Sequence, residues 1–174
     1  VPFPSTEMRV VDPEQPSSDV PHGVPGELLI RGPQVFAGYW NNTEDTEQVL
    51  RDGGWLRTGD IVTVDDDGFV KVVDRRKELI ITGGFNVSPT EVEEVLRSNQ
   101  AIADVAVVGL PRPDGGEQVV AAVVLTEGAE LDEAGLRAWC RERLTPYKVP
   151  RRIVAIDELP KSLLGKVLRR QVRE

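Results

Sequence analysis

The rhythm of apolar and polar positions changes near residue 74. Before it, apolar residues fall in short alternating runs. Glu7 to Asp12 and Gly26 to Arg31 predict strands, with a Pro/Ser-rich loop between them through Pro25. Ile61 to Val64 and Phe69 to Val73 alternate on either side of Asp65-Asp66-Asp67-Gly68 and predict a hairpin. Thr43 to Leu50, preceded by Asn41-Asn42 and closed by Asp52-Gly53-Gly54, predicts a short helix. This part of the chain is mostly β, with few aromatic anchors.

Beyond Asp74-Arg75-Arg76-Lys77 helices and strands are mixed. Glu78 to Thr82 predicts a strand and Gly83-Gly84 a turn. Ser88-Pro89-Thr90-Glu91 then opens a helix: Ser88 as cap, Pro89 at the first helical position, Glu91 placed for a capping box, and Val92, Val95 and Leu96 as the apolar stripe, ending near Asn99. Val105 to Leu110 and Gln118 to Leu125 predict strands across Pro111-Arg112-Pro113-Asp114-Gly115-Gly116. Asp132 to Leu144 predicts an amphipathic helix and Ile153 to Ile156 a further strand. The expected class is α+β. The boundary is expected at Asp74 to Lys77, where apolar strands flank a charged segment without core residues; a hinge and an ordinary solvated turn both fit that composition.

Composition narrows the function. The chain has 174 residues, 40% hydrophobic and 29% charged, which suits one respectable core or two small ones in an ordinary globular protein. Its longest apolar runs, such as Val119 to Leu125, are strand length, and Val1 to Thr6 lacks the pattern of a signal peptide, so a cytoplasmic location is the default. A single cysteine, Cys140, excludes an internal disulfide, and with His22 as the lone histidine there are too few soft ligands for structural zinc. His22 sits in a Pro/Gly-rich stretch that fits a loop better than a catalytic base. Net charge is −8, yet Arg141 to Glu174 holds ten basic residues against four acidic ones. The acidic bulk opposes non-specific polyanion binding, so a small-anion site or a solvated basic helix fits better than nucleic acid.

Four clusters carry candidate chemistry. Gly83-Gly84 permits positive φ and close backbone approach to a ligand, although a Gly-Gly pair alone is commonly a turn. Gly165-Lys166 is not a phosphate loop, since Val167 stands where Ser or Thr is required and no glycine precedes Gly165 by five residues. Lys166 is therefore either a point charge for phosphate and carboxylate oxygens or one more exposed cation. Asp60, after Gly59 at an expected strand start, suits vicinal hydroxyls such as those of ribose or else caps a turn, and Arg75 is placed to reach the same sugar.

Together these clusters resemble the adenylate-forming superfamily of acyl-CoA synthetases, adenylation domains and luciferases. The matching segments are Gly32 to Trp40, Gly54-Trp55-Leu56-Arg57-Thr58-Gly59-Asp60, Asp74-Arg75-Arg76-Lys77, Gly83-Gly84-Phe85-Asn86-Val87-Ser88-Pro89 and Pro160 to Arg170, in the family's order. Gly84-Phe85-Asn86-Val87-Ser88-Pro89 and Leu144 to Pro150 are most similar to bacterial long- or medium-chain fatty acid CoA ligases.

The resemblance implies roles. Asp60 would bind the ribose hydroxyls of ATP or acyl-AMP, with Arg75 assisting. Asp74 and Lys77 would belong to the hinge, Lys77 as its pivot. Gly83, Gly84 and Phe85 would move in for thioester formation and line the pantetheine path. Lys166 would approach carboxylate and α-phosphate during adenylation. The implied reactants are a carboxylic acid, ATP and CoA, with Mg2+ held by residues upstream. The phosphate loop, the Tyr-Gly-x-Thr-Glu segment and the acyl tunnel of such enzymes have no counterpart here. Residues 1–73 are accordingly expected to end a large N-terminal domain, 74–77 to be the hinge, and 78–174 to form the small C-terminal domain, the polypeptide alone being inert. An aryl, amino or short-chain acid is the nearest alternative substrate. A non-catalytic module using the basic C-terminal face is the alternative of another class, and peripheral membrane association is left open.

Overall fold

Strand β1 (Glu7–Val11) pairs antiparallel with β2 (Gly26–Arg31), and β2 pairs with β4 (Trp55–Val64), a ten-residue strand at the centre of the sheet. The other edge of β4 is shared by β3 (Leu50–Arg51), opposite Trp55 and Leu56, and β5 (Val70–Arg75), opposite residues 60–64. Helix α1 (Thr43–Val49) starts where the Asn42 side chain accepts from the Asp45 amide at 3.1 Å, and it buries no residue. The hairpin expected around Asp65 to Gly68 is present, with Asp65 Oδ1 accepting from the amides of Asp67 and Phe69. Among the described residues of this part, Val11, Leu29, Ile61, Val62 and Val64 are the buried apolar ones.

This computed structural model describes residues 4–174. The chain divides into two compact units, Val1–Lys77 and Glu78–Glu174. In the second, β6 (Ile80–Thr82) and β7 (Phe85–Val87) form a hairpin, followed by α2 (Pro89–Arg97). A three-stranded sheet follows: β8 (Ile102–Pro111) antiparallel to β9 (Glu117–Leu125), and β10 (Arg152–Ala155) parallel to β9, reached through α3 (Glu133–Arg141). The Ser88 hydroxyl accepts from the Glu91 amide at 3.3 Å and Pro89 opens α2, as the sequence predicts.

Side chains of a strand alternate between two faces, and both faces of this sheet are covered. Val105, Val107, Val119, Ala121, Val123 and Ile153 form one core with Val92 and Leu96 of α2 and Leu136 and Cys140 of α3. Ala106 and Ala122, facing the other way, are covered by Leu159, with Val124, Val154, Ile156, Val167 and Val172 packed around them. The C-terminal segment is thus fastened over the sheet on both sides of Lys166. Instead of the solvated basic helix that composition allowed, it forms a turn and a four-residue helix, α4 (Arg169–Val172).

Three expectations change. Asp60 lies inside β4, not at a strand start. Asp74, expected in a segment without core residues, is buried within β5 and opposes Ile61, because the ladder continues to Arg75. Glu78 belongs to a 3-10 turn, Arg76–Glu78, and the following strand begins at Ile80.

Candidate functional site

Asp60 is aimed by a bulge. Leu29 of β2 opposes Arg57 and Glu27 opposes Ile61, so Thr58, Gly59 and Asp60 together face Leu28. Gly59 takes φ +72°, which a side chain resists, and the Thr58 hydroxyl donates to the Leu28 carbonyl (2.9 Å) and accepts from the Asp60 amide (3.1 Å). Thr-Gly-Asp is therefore first of all a strand distortion stabilised by its own side chain. It sets Asp60 directly opposite Arg75, whose Nε lies 2.8 Å from Asp60 Oδ1. Asp60 is partly covered and Arg75 half exposed, leaving a carboxylate with a free lone pair beside a cation. That arrangement can accept from hydroxyls of an anionic ligand while Arg75 balances charge.

Opposite the neighbouring Ile61 lies a buried acid. Glu27, 2% exposed at its side chain, accepts from Arg57, and Arg76 Nε approaches it at 3.6 Å. Arg76 also donates to the Pro13 carbonyl at 3.3 Å. On the chain's passage into the second unit, Asp74, Arg75 and Arg76 are thus all engaged. Lys77 is exposed and, among the described residues, makes no ion pair.

The glycine pair closes the β6–β7 hairpin. Thr82 faces Phe85, and Gly83 and Gly84 take φ +58° and +81°, the two-residue turn in which both central residues need positive φ. Turn geometry alone accounts for both glycines. Nothing lies within 4 Å of a Cβ built on Gly84, so its outer side is open to a ligand. Glu117 steadies the hairpin by accepting from the Ile81 amide at 3.0 Å, and Gly109 makes room for that carboxylate, which would lie 2.6 Å from a Cβ there. The Phe85 ring stacks on Tyr147 with centroids 4.4 Å apart and planes 16° apart. A polar cleft lined by Thr82, Arg112, Gln118 and Arg151 adjoins the hairpin.

Lys166 is exposed on a closed turn. Ser162 N donates to the Lys166 carbonyl (2.8 Å), Gly165 N to the Ser162 carbonyl (2.8 Å), and Lys166 N to the Ser162 hydroxyl (3.2 Å). Gly165 takes φ +77°. Lys161 and Val167 form a bridge at the base, and Leu168 N donates to the Pro160 carbonyl at 2.8 Å. Among the described residues the Lys166 ammonium has no ion-pair partner, so it is available to an external anion.

Sequence reasoning missed the long-range pairs around these elements. Lys148 Nζ contacts both Glu91 oxygens (2.7 and 2.6 Å), clipping the Tyr147 loop to α2. Lys161 reaches Asp104 at 2.7 Å. Burial alone would raise the Asp104 pKa; the Lys161 hydrogen bond, the Val105 amide and the charges of Lys161 and Arg97 outweigh it and hold that carboxyl below its usual range. Arg169 pairs with Glu93 and Glu78. Among the described residues no group of three His, Cys, Asp or Glu side chains converges to hold a metal, so none is assigned to the expected Mg2+.

The family model of the AMP-binding enzyme C-terminal domain matches residues 91–166, and that of the AMP-binding enzyme matches residues 1–40. The chain belongs to the adenylate-forming, AMP-binding enzymes. A long-chain-fatty-acid–CoA ligase of Escherichia coli is 45% identical over 174 residues, 100% of this chain and 30% of that protein. A 2-succinylbenzoate–CoA ligase of Geobacillus kaustophilus is 47% identical over 171 residues, 98% of this chain and 34% of that protein. The crystal structure of ATP-bound MatB from Rhodopseudomonas palustris superposes with a TM-score of 0.88 at 38% identity, over 98% of this chain and 34% of that one. The chain thus spans about a third of the length of the relatives it matches. Among the described residues no helix is long and apolar enough to cross a membrane.

Proposed function

We propose that this chain is the C-terminal part of an ATP-dependent acyl-CoA synthetase acting on a fatty acid. In the first half-reaction a carboxylate oxygen attacks the α-phosphorus of ATP, giving acyl-AMP and pyrophosphate. In the second the CoA thiol attacks the acyl carbon, a thioester forms, and AMP leaves with the bonding electrons. Residues 1–73 end the large nucleotide-binding domain, 74–77 are the hinge with Lys77 at its pivot, and 78–174 are the small domain.

The observation carrying this reading is the presented Lys166, whose ammonium has no ion-pair partner among the described residues, on a turn closed by its own hydrogen bonds. Aimed at the oxygens where charge accumulates as the carboxylate meets the α-phosphate, a fixed cation lowers that barrier at no cost of reorganisation. Asp60 holds the ribose hydroxyls and Arg75 steadies the same nucleotide. For the second step the open side of Gly83-Gly84 admits the pantetheine arm past Phe85, and the Arg112–Arg151 cleft beside the hairpin suits the phosphates of CoA. Alternation of the two steps requires rotation about Lys77, which among the described residues makes no ion pair beside the engaged Arg75 and Arg76.

Identity to the fatty-acid ligase over the whole chain favours a fatty acid, and similar identity to the 2-succinylbenzoate ligase supports an aryl acid as second reading. The test is a panel of fatty, aryl, amino and short-chain acids given to the full-length enzyme, following CoA- and ATP-dependent acid consumption. Turnover is expected on medium- and long-chain fatty acids. Activity confined to aromatic or amino acids overturns the assignment.

A further inference from the structure

Three residues beyond Lys166, each guanidinium nitrogen of Arg169 donates to a carboxylate of its own unit. Its Nη2 donates to both Glu93 oxygens at 2.9 Å, its Nε donates to Glu93 Oε1 at 3.2 Å, and its Nη1 donates to Glu78. Glu93 lies on α2 and is buried at 7% exposure; its Oε1 also accepts from the Val107 amide of the central sheet at 2.8 Å. Glu78 is the residue at which the second unit begins. One planar guanidinium therefore joins the lysine turn to the core helix and to the first residue after the linker.

The Lys161–Val167 bridge and the Leu168 amide bond to the Pro160 carbonyl close the turn on itself, and Arg169 is the charged side chain that ties this leg to the rest of the unit. Helix α4 has four residues, no side-chain cap and no buried residue, and Arg170 and Arg173 are exposed. Val167 and Val172 pack on the sheet, but apolar packing does not set register as a bidentate ion pair does. The other leg rests on Lys161 with Asp104, a pair in which Lys161 is half exposed. Burial disfavours a charged guanidinium; Glu93 and Glu78 more than offset it, and Arg169 is held above the ordinary arginine range. With Nε, Nη1 and Nη2 each donating to a carboxylate, Arg169 is oriented toward its own unit.

We propose that Arg169 is a positioning residue for Lys166: through Glu93 and Glu78 it ties the turn that carries the ammonium to the start of its own unit, so that movement at the linker carries the ammonium as part of a rigid body. Without the tie the small domain still swings, but the ammonium arrives displaced. This inference rests on the adenylation role proposed above for Lys166.

The test measures each half-reaction separately in full-length enzyme, for Arg169→Gln, Arg169→Lys, Glu78→Gln and the reference Lys166→Ala. A remote misplacement of about 1 Å can cost about a hundredfold in rate. Arg169→Gln is expected to lower kcat of acyl-AMP formation by about ten- to a hundredfold, with KM for ATP and thioester formation from supplied acyl-AMP each within about threefold of the parent. Arg169→Lys should recover part of the loss, since lysine keeps the charge but cannot span both acids with one planar fork. Glu78→Gln leaves the Glu93 pair in place and carries the test should Arg169→Gln not fold; it should slow the same step alone. Parallel loss of both half-reactions, or adenylation within about twofold of the parent, overturns the proposal. If Lys166→Ala abolishes acyl-AMP formation while the Arg169 and Glu78 variants spare it, positioning fails and the lysine role stands; if Lys166→Ala spares it, both fall.

Discussion

Replacing Asp60 by alanine separates a strut of the fold from a binding group. The pair with Arg75 is a single contact at 2.8 Å with a half-exposed arginine, and such pairs contribute about 0–1 kcal/mol. The bulge does not depend on it, since Gly59 and the Thr58 hydroxyl hold that geometry. Asp60→Ala should therefore cost folding less than about 1 kcal/mol. The expected loss in binding is larger. Hydrogen bonds to a charged acceptor contribute about 1.5–3 kcal/mol each, so two ribose hydroxyls lose about 3 kcal/mol at the lower bound. At about 1.4 kcal/mol per decade, ATP affinity should fall by about two orders of magnitude. Asp60→Asn keeps one carbonyl acceptor and should lose about one order, half of that free energy. Calorimetric titration of ATP into full-length enzyme, with thermal unfolding of the same samples, gives both quantities. An ATP Kd within about twofold of the parent for Asp60→Ala refutes the ribose role, and a large fall in Tm with unchanged affinity makes Asp60 a strut.

Gly84→Val places a β-branched residue at φ +81° in a tight hairpin, a strain of about 1–2 kcal/mol, and fills the open side of the turn. Assays of the separate half-reactions should show thioester formation slowed more than pyrophosphate exchange; selective loss of exchange contradicts the CoA role. Cys140 is fully buried, and burial pushes its thiol from 9.0 up to about 11. The folded state therefore keeps its proton above the pH at which the unfolded thiol loses it, and this contribution to stability declines as pH rises between 9.0 and about 11. A thiol reagent at pH 8 should label the chain only after unfolding in urea; rapid labelling of the native protein contradicts the burial.

The second unit was legible because its signals are local. Ser88-Pro89 caps and opens a helix within a few residues, and the apolar run ending at Leu125 is a strand buried on both faces. The site is legible only in part, because its geometry comes from contacts distant in sequence. Phe85–Val87 is too short to signal a strand, and only pairing with Ile80–Thr82 makes it one. Asp74 reads as linker from its charged neighbours, yet it is drawn into the sheet by the ladder to Ile61. Arg169 and Glu93 are separated by 76 residues, and no spacing in the chain pairs them. Thr58-Gly59-Asp60 was recognisable as a cluster, but the bulge that aims the carboxylate at Arg75 depends on the register of β2 against β4.

In the proposed function one ammonium, that of Lys166, serves the first half-reaction and not the second. Lys166→Ala in full-length enzyme, assayed once for pyrophosphate released on mixing acid with ATP and once for thioester formed from supplied acyl-AMP and CoA, addresses it directly. Pyrophosphate release is expected to fall by about two to three orders of magnitude, the effect of removing one fixed stabilising group from a transition state, while the thioester rate holds. Equal loss of both steps, or retention of both, contradicts it.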